Sequence, residues 1–163
     1  MLQGVGEQAV STKRTKVAIF VIAAVVVLLD QATKAWALAA LGDGSRIPVI
    51  GRTIDFRLVR NPGSAFGLFA DATLWIFLAS LAVTAGVAVW ALRDPQAPPV
   101  LGLVLGGGVG NLIDRLVQPP GGGSGHVVDF IYLSFWPTFN LADAAIVTGV
   151  GLLFYLAFRE GRS

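Results

Sequence analysis

Four apolar stretches separated by polar loops set the pattern of this chain. Residues 17–41, 73–92, 98–117 and 138–158 read as helices able to cross a bilayer, because a run of about 20 apolar residues spans its hydrocarbon. In three of them the polar residues gather at one end. The first carries Asp30 and Lys34 near its far end, the third Asn111, Asp114 and Arg115 near its far end, and the fourth Asn140 and Asp143 near its start. Alternate spans run in opposite directions, so all of these residues fall in one layer of the membrane. A charge in hydrocarbon is costly unless it is paired or wet. The pattern therefore predicts a polar floor at one face of the bundle, with Asp129, in the loop before the fourth helix, above it. The second helix has no charge and reads as a packing span.

The connections carry their own signals. Ile54 to Leu58 alternates apolar and polar residues, the mark of a half-buried strand, and Gly51-Arg52-Thr53 is its turn. A small sheet on the membrane surface is expected. Asn61-Pro62-Gly63 ends that strand, and Ser64 to Ala70 forms a short apolar surface segment able to cover a cleft. Gly102, Gly106 and Gly110 recur every four residues on one helix face, where small residues let backbones approach closely in lipid. Gly107 and Gly108 read as added flexibility. Residues 119–125 read as a flexible linker, Val127 to Phe130 as a strand-like piece, and Pro137 as the start of the last helix.

Composition narrows the class. The 163 residues are 55% hydrophobic and 13% charged, with mean hydropathy +0.72, which places the chain among membrane proteins. The expected organisation is a tail over 1–16, one integral-membrane domain over 17–158, and a tail over 159–163, with residues 1–12 disordered. The apolar run Val17–Leu29 followed by Ala37-Leu38-Ala39 resembles a cleaved leader, but Asp30, Gln31 and Lys34 intervene, so a retained helix is the better reading. The net charge of +2 is spread out and does not form a nucleic-acid footprint. With no cysteine and His126 as the one histidine, disulfides, thiol nucleophiles and His-cluster zinc sites are excluded, and no cofactor or metal is called for. Lys13, Arg14, Lys16, Arg93, Arg159 and Arg162 on one side outnumber Arg46, Arg52, Arg57 and Arg60 on the other. By the positive-inside rule both termini are cytoplasmic and the polar floor is extracytoplasmic.

The polar residues suggest chemistry. Asp30 and Lys34, four apart, can pair along their helix, in the favourable order. Asp129 and Asp143 are a candidate carboxylate pair. Two close carboxylates do not both ionise easily, so one can take a proton from water while the other donates to a carbonyl. Taken singly, each also reads as an ordinary helix-end or loop acid. Arg115 could neutralise carboxylates across the floor, and His126 reads as loop packing. A transporter would need polar residues through the full depth of the bundle, whereas the other half of the helices holds only Ser80, Thr84 and Thr148. A structural subunit, with charges that only join helices, is the third reading.

Five motifs in order give the chain a family resemblance: Asp30-Gln31-Ala32-Thr33-Lys34, Asn61-Pro62-Gly63-Ser64-Ala65-Phe66-Gly67, Gly110-Asn111-Leu112-Ile113-Asp114-Arg115, Val127-Val128-Asp129-Phe130 and Phe139-Asn140-Leu141-Ala142-Asp143. The chain resembles the lipoprotein signal peptidases (signal peptidase II), aspartic proteases of the bacterial inner membrane. The resemblance implies an all-α membrane protein, a four-transmembrane-helix bundle with a small extracytoplasmic β-cradle and a short surface helix. It implies cleavage of diacylglyceryl-modified prolipoproteins just before the lipidated cysteine. The expected partners are those substrates and membrane lipids, with the chain as a monomer. By motif position Asp129 and Asp143 are catalytic. Asn61, Gly63, Asn111, Arg115 and Asn140 shape the site, Asp30, Lys34 and Asp114 support it, and Phe66 belongs to a lid.

Overall fold

The computed structural model describes residues 2–63 and 73–162, with side chains from Thr12 onward. In chain order the elements are α1 (Leu2–Leu41), β1 (Arg46–Ile50), β2 (Ile54–Asn61), α2 (Thr73–Arg93), α3 (Leu101–Val117), β3 (Val127–Leu133), β4 (Trp136–Phe139) and α4 (Leu141–Glu160). The molecule is mostly helical, with one antiparallel sheet in the order β1-β2-β3-β4. Among the described residues, three helical stretches, Thr12–Leu41, Thr73–Arg93 and Leu141–Glu160, are long and apolar enough to cross a membrane. Many of their apolar side chains face outward. Leu28, Val83, Val147 and Phe154 are all well exposed, as lipid-facing residues must be.

The 17-residue α3, about 25 Å long, packs against all three other helices. Its glycines permit this. A Cβ at Gly102 would lie 2.5 Å from the Ile19 carbonyl of α1, and one at Gly106 2.7 Å from that of Ala23. A Cβ at Gly107 would strike Ala142 O of α4, and one at Gly108 would lie 2.5 Å from Thr84 Oγ1 of α2. The four-residue glycine stripe is thus the α1–α3 seam. Gly107 and Gly108, expected to add flexibility, are instead close-packing points.

Several expectations from the sequence are corrected, among them the start of α3, expected at 98 and found at Leu101. Residues expected as a disordered tail continue α1 back to Leu2. No proline interrupts them, so the backbone ladder has no forced stop. The last helix begins at Leu141 rather than 138, because Trp136–Phe139 pairs with β3 as β4 and takes Pro137 into that edge strand. Residues 119–125 are not a loose linker. Gly123 N and Gly125 N donate to Arg115 O at 2.9 and 3.0 Å, and Gly122 N donates to Leu116 O at 3.2 Å, satisfying the last carbonyls of α3. Gly121, Gly122 and Gly123 adopt positive φ, and a Cβ on Gly125 would strike Gln118 O. The glycines here build a specific turn.

The sheet docks on the far end of α1. Trp36 meets Phe56 and Phe130 edge-on, with centroids 5.4 and 6.0 Å apart, over buried Ala37 and Leu41. Each such aromatic pair contributes about 0.5–1.5 kcal/mol beyond its buried area. On the sheet, Arg57 bonds both Asp55 oxygens and covers the Tyr132 ring at 3.4 Å. The predicted strand and its turn at Gly51-Arg52-Thr53 are both present. Between Phe56 and Val59 the β2–β3 register shifts, so Val59 comes opposite Asp129. Such bulges re-aim neighbouring side chains.

Candidate active site

The start of α4 fixes one acid. Asn140, with extended backbone (φ −128°, ψ −175°), is the N-cap, and Asp143 is the third helical residue. Asp143 N donates to Asn140 Oδ1 at 2.9 Å, and Asn140 N donates to Asp143 Oδ2 at 3.2 Å. This reciprocal capping box satisfies two donors that a helix start leaves open. The two residues expected side by side on a helix face are therefore cap and third residue. The free oxygen of Asp143, Oδ1, accepts from Asn111 Nδ2 at 2.8 Å.

The other acid comes from the sheet. Asp129 is buried on β3, where Asn140 Nδ2 donates to its Oδ1 at 2.8 Å and Asn61 Nδ2 to its Oδ2 at 2.9 Å. Asn140 thus holds both carboxylates, Asp143 through the cap and Asp129 through its amide. Both acids line one cavity of about 230 Å³, with Val59, Asn61, Pro62 and Thr138 among its walls. Burial pushes the Asp129 carboxyl up to about 7. The hydrogen bonds from Asn61 and Asn140 and the charge of Lys34 oppose the rise, while the charge of Asp143 adds to it.

Beneath the pair lies a buried ionic cluster. Lys34 Nζ reaches Asp30 Oδ2 at 2.8 Å, Asp114 Oδ2 at 2.9 Å and Asn111 Oδ1 at 3.0 Å. Asp30 Oδ1 accepts from Ala142 N, and Asp114 Oδ2 from Val128 N, both at 2.9 Å. Each scaffold acid therefore grips the peptide group one residue before a candidate catalytic acid. The predicted Asp30–Lys34 pair is present, and its reach across to α4 and β3 is what makes it part of the site. Gly110 is required beside it, since a Cβ there would lie 2.6 Å from Asp30 Oδ2.

Gln31 escaped the sequence reading. Its Nε2 lies 3.2 Å from Asp30 Oδ2, 3.1 Å from Asp114 Oδ1 and 3.2 Å from Gly110 O, tying α1 to α3. The signal was a third polar residue in the same helical turn as Asp30 and Lys34. Arg115 is buried, with Nη1 3.5 Å from Gly125 O. Among the described residues it forms no ion pair, and its charge acts on Asp129, Asp114 and Asp143 through space. Gly63, at φ +120°, lies against that guanidinium, and its N donates to Asn61 Oδ1 at 2.9 Å. His126 Nδ1 contacts Pro119 O at 2.7 Å, in keeping with loop packing. Phe66 and the rest of the expected lid lie outside the described residues.

Residues 22–159 match the sequence model of the family described as signal peptidase (SPase) II. The chain belongs to the signal peptidase II family. It is 44% identical over 147 residues to the lipoprotein signal peptidase of Rhodococcus jostii, which covers 89% of this chain and 74% of that protein. To that of Leifsonia xyli it is 39% identical over 159 residues, covering 91% and 73%. A solved bacterial membrane enzyme, determined by the in meso method at 2.3 Å, superposes with a TM-score of 0.73 at 27% identity, covering 88% of each chain. Signal peptidase II is a membrane aspartic protease, so the family supplies the class of reaction and the geometry above supplies the acids near which to look for it.

Proposed function

We propose that this chain removes signal peptides from diacylglyceryl-modified prolipoproteins, cutting before the lipidated cysteine, with Asp129 and Asp143 as the catalytic pair. The observation that carries the reading is Asn140, a buried residue bonded to both acids, which themselves line one cavity. An aspartic protease needs one protonated and one ionised carboxyl around a shared water. Burial makes Asp129 the member that holds its proton near neutrality. It donates to the scissile carbonyl oxygen while Asp143 takes a proton from the attacking water. The gem-diol intermediate collapses by C–N cleavage as Asp129 takes back a hydroxyl proton, and the proton on Asp143 passes to the leaving nitrogen.

The same reading places the site in the membrane. α3 is the fourth span, supported by its position among the other three helices and by its polar residues confined to one end. The sheet forms a cradle at the extracytoplasmic face, and the termini are cytoplasmic, on the six-to-four balance of flanking basic residues. A substrate whose acyl chains stay in the bilayer then presents its scissile bond at the depth of the dyad, held by Asn61, Gly63, Asn111 and Arg115. One monomer contains every group named. The test is cleavage of a diacylglyceryl-modified peptide by purified protein. Asp129→Asn and Asp143→Asn each abolish turnover while the protein still inserts and purifies, and a peptide without the lipid is cut poorly. Residual full turnover in either variant rules out the dyad, and equal rates with and without lipid remove the anchoring step.

A further inference from the structure

The opposite end of the bundle holds two grooves of contrasting charge. One, of about 780 Å³, lies between the N-terminal half of α1 and the α2–α3 connection. It is lined by Lys13 and Lys16 above Val17, Phe20, Val21 and Ala24, with Pro95 across from them. The second, of about 450 Å³, lies between the ends of α2 and α4, and its charged lining is Asp94 and Glu160 over Leu153 and Phe154. Both flank the same connection and both have an apolar wall. Asp94 belongs to the second groove, where its oxygens accept from Gln96 N at 2.8 Å and Trp90 Nε1 at 3.0 Å.

We propose that the lysine groove binds one anionic phospholipid, its phosphate between Lys13 and Lys16 and an acyl chain along Val17, Phe20, Val21 and Ala24. Charge complementarity selects this occupant. Among the described residues its lining offers two cations and no acid, Asp94 of the neighbouring groove acting on Lys16 only through space, whereas that acidic neighbour repels the same headgroup. Lys16 is already held, because its Nζ donates to Leu92 O at 2.5 Å in the last turn of α2. An ammonium has three donors, so this contact leaves others to point at a phosphate oxygen and reduces the ordering that binding requires. The apolar wall below is exposed on the face of α1 away from α3, open to a lipid chain. Fourteen residues of helix, about 21 Å, separate Lys16 from Asp30, so the lipid sits in the leaflet opposite the dyad. The proposal rests on the membrane placement above and not on the catalytic assignment.

Each lysine near an anionic headgroup raises affinity about fivefold, so two predict about a 30-fold preference. The experiment is native mass spectrometry of the full chain released from detergent, with phosphatidylglycerol or phosphatidylcholine of identical acyl chains. The wild type is expected to retain the glycerol lipid about 30-fold more tightly. K13Q alone loses about fivefold, K13Q/K16Q loses the preference, and R159Q/R162Q keeps it. Equal retention of both lipids by the wild type overturns the proposal. So does an unchanged preference in K13Q/K16Q, or a loss in R159Q/R162Q as large as in the lysine pair, which would mean diffuse electrostatics. Lipopeptide cleavage by each variant reports that it is folded. Absence of cleavage in every form, wild type included, would count against the enzyme reading and leave the lipid result to stand by itself.

Discussion

Replacing Asp129 with asparagine separates catalysis from stability and gives the two effects opposite signs at alkaline pH. The folded chain holds the Asp129 carboxyl at about 7, against an ordinary value of 3.8. That is about three pH units at 1.36 kcal/mol each, so ionising the group inside the fold costs about 4 kcal/mol. The folded state binds the proton more tightly than the unfolded state. Stability is therefore full below the ordinary value and is lost as pH rises through the folded one. Roughly 1 kcal/mol is gone by about pH 4.5 and nearly all 4 by about pH 8. Asparagine has no charge to bury and removes this slope. Its amide also turns an NH₂ toward Asn61 or Asn140, both of which donate to Asp129, and the lost bond costs about 1–3 kcal/mol at every pH. The two stability curves must therefore converge by about 3 kcal/mol between about pH 4.5 and 8, and cross if the lost bond costs less than the buried charge. For a chain of this length that is a relative shift in Tm of roughly 6–12 °C. Tryptophan fluorescence of both proteins in one detergent during heating reads it directly. Titrating groups that do not act on Asp129 are common to both and cancel. Parallel Tm curves across that range would refute the buried, protonated Asp129, whatever the variant does to turnover.

Other expectations follow from the scaffold. Gly110→Ala drives a methyl into Asp30 and should destabilise by about 1–3 kcal/mol with a fall in turnover, whereas Gly86→Ala, with nothing within 4 Å of the new methyl, should leave both intact in a melting and cleavage comparison. Lys34→Met strands Asp30 and Asp114 as buried charges and should cost about 3–5 kcal/mol. Adding Asp30→Asn should recover part of that Tm, and no recovery would mean the ionic cluster does not set the loss. Gly125→Ala meets the carbonyls of Gln118, Arg115 and Asp114 and should shift β3, lowering kcat at nearly constant expression.

Much of this architecture was legible because intramembrane charge is rare and therefore informative. Asp30, Lys34, Asn111, Asp114, Asn140 and Asp143 could be set at one level from helix direction alone, and their hydrogen bonds join them into one network. The alternation of Ile54 to Leu58 gave a strand because period-two patterning is local. What periodicity could not show was which backbone groups the acids would grip. Ala142 N and Val128 N are far from Asp30 and Asp114 in sequence, and nothing in a one-dimensional pattern marks them. The glycines of 119–125 misled for a related reason. Composition reads them as loose, whereas their use depends on positive φ and on carbonyls left over at the end of α3. Gln31 was passed over because Asp30 and Lys34, in the same helical turn, pair with each other and account for that turn by themselves. The short β4 was hidden by Pro137, which a helix start accepts as readily as an edge strand does.

The contact from Ala142 to Asp30 closes a span of 112 residues. During synthesis α1 and α3 are made before α4, so Asp30 waits without its final partner. Until the last helix arrives, Lys34 is the cation that offsets the charge of Asp30 and Asp114. The order of synthesis thus leaves the ionic cluster to form first and the peptide group beside Asp143 to be gripped last.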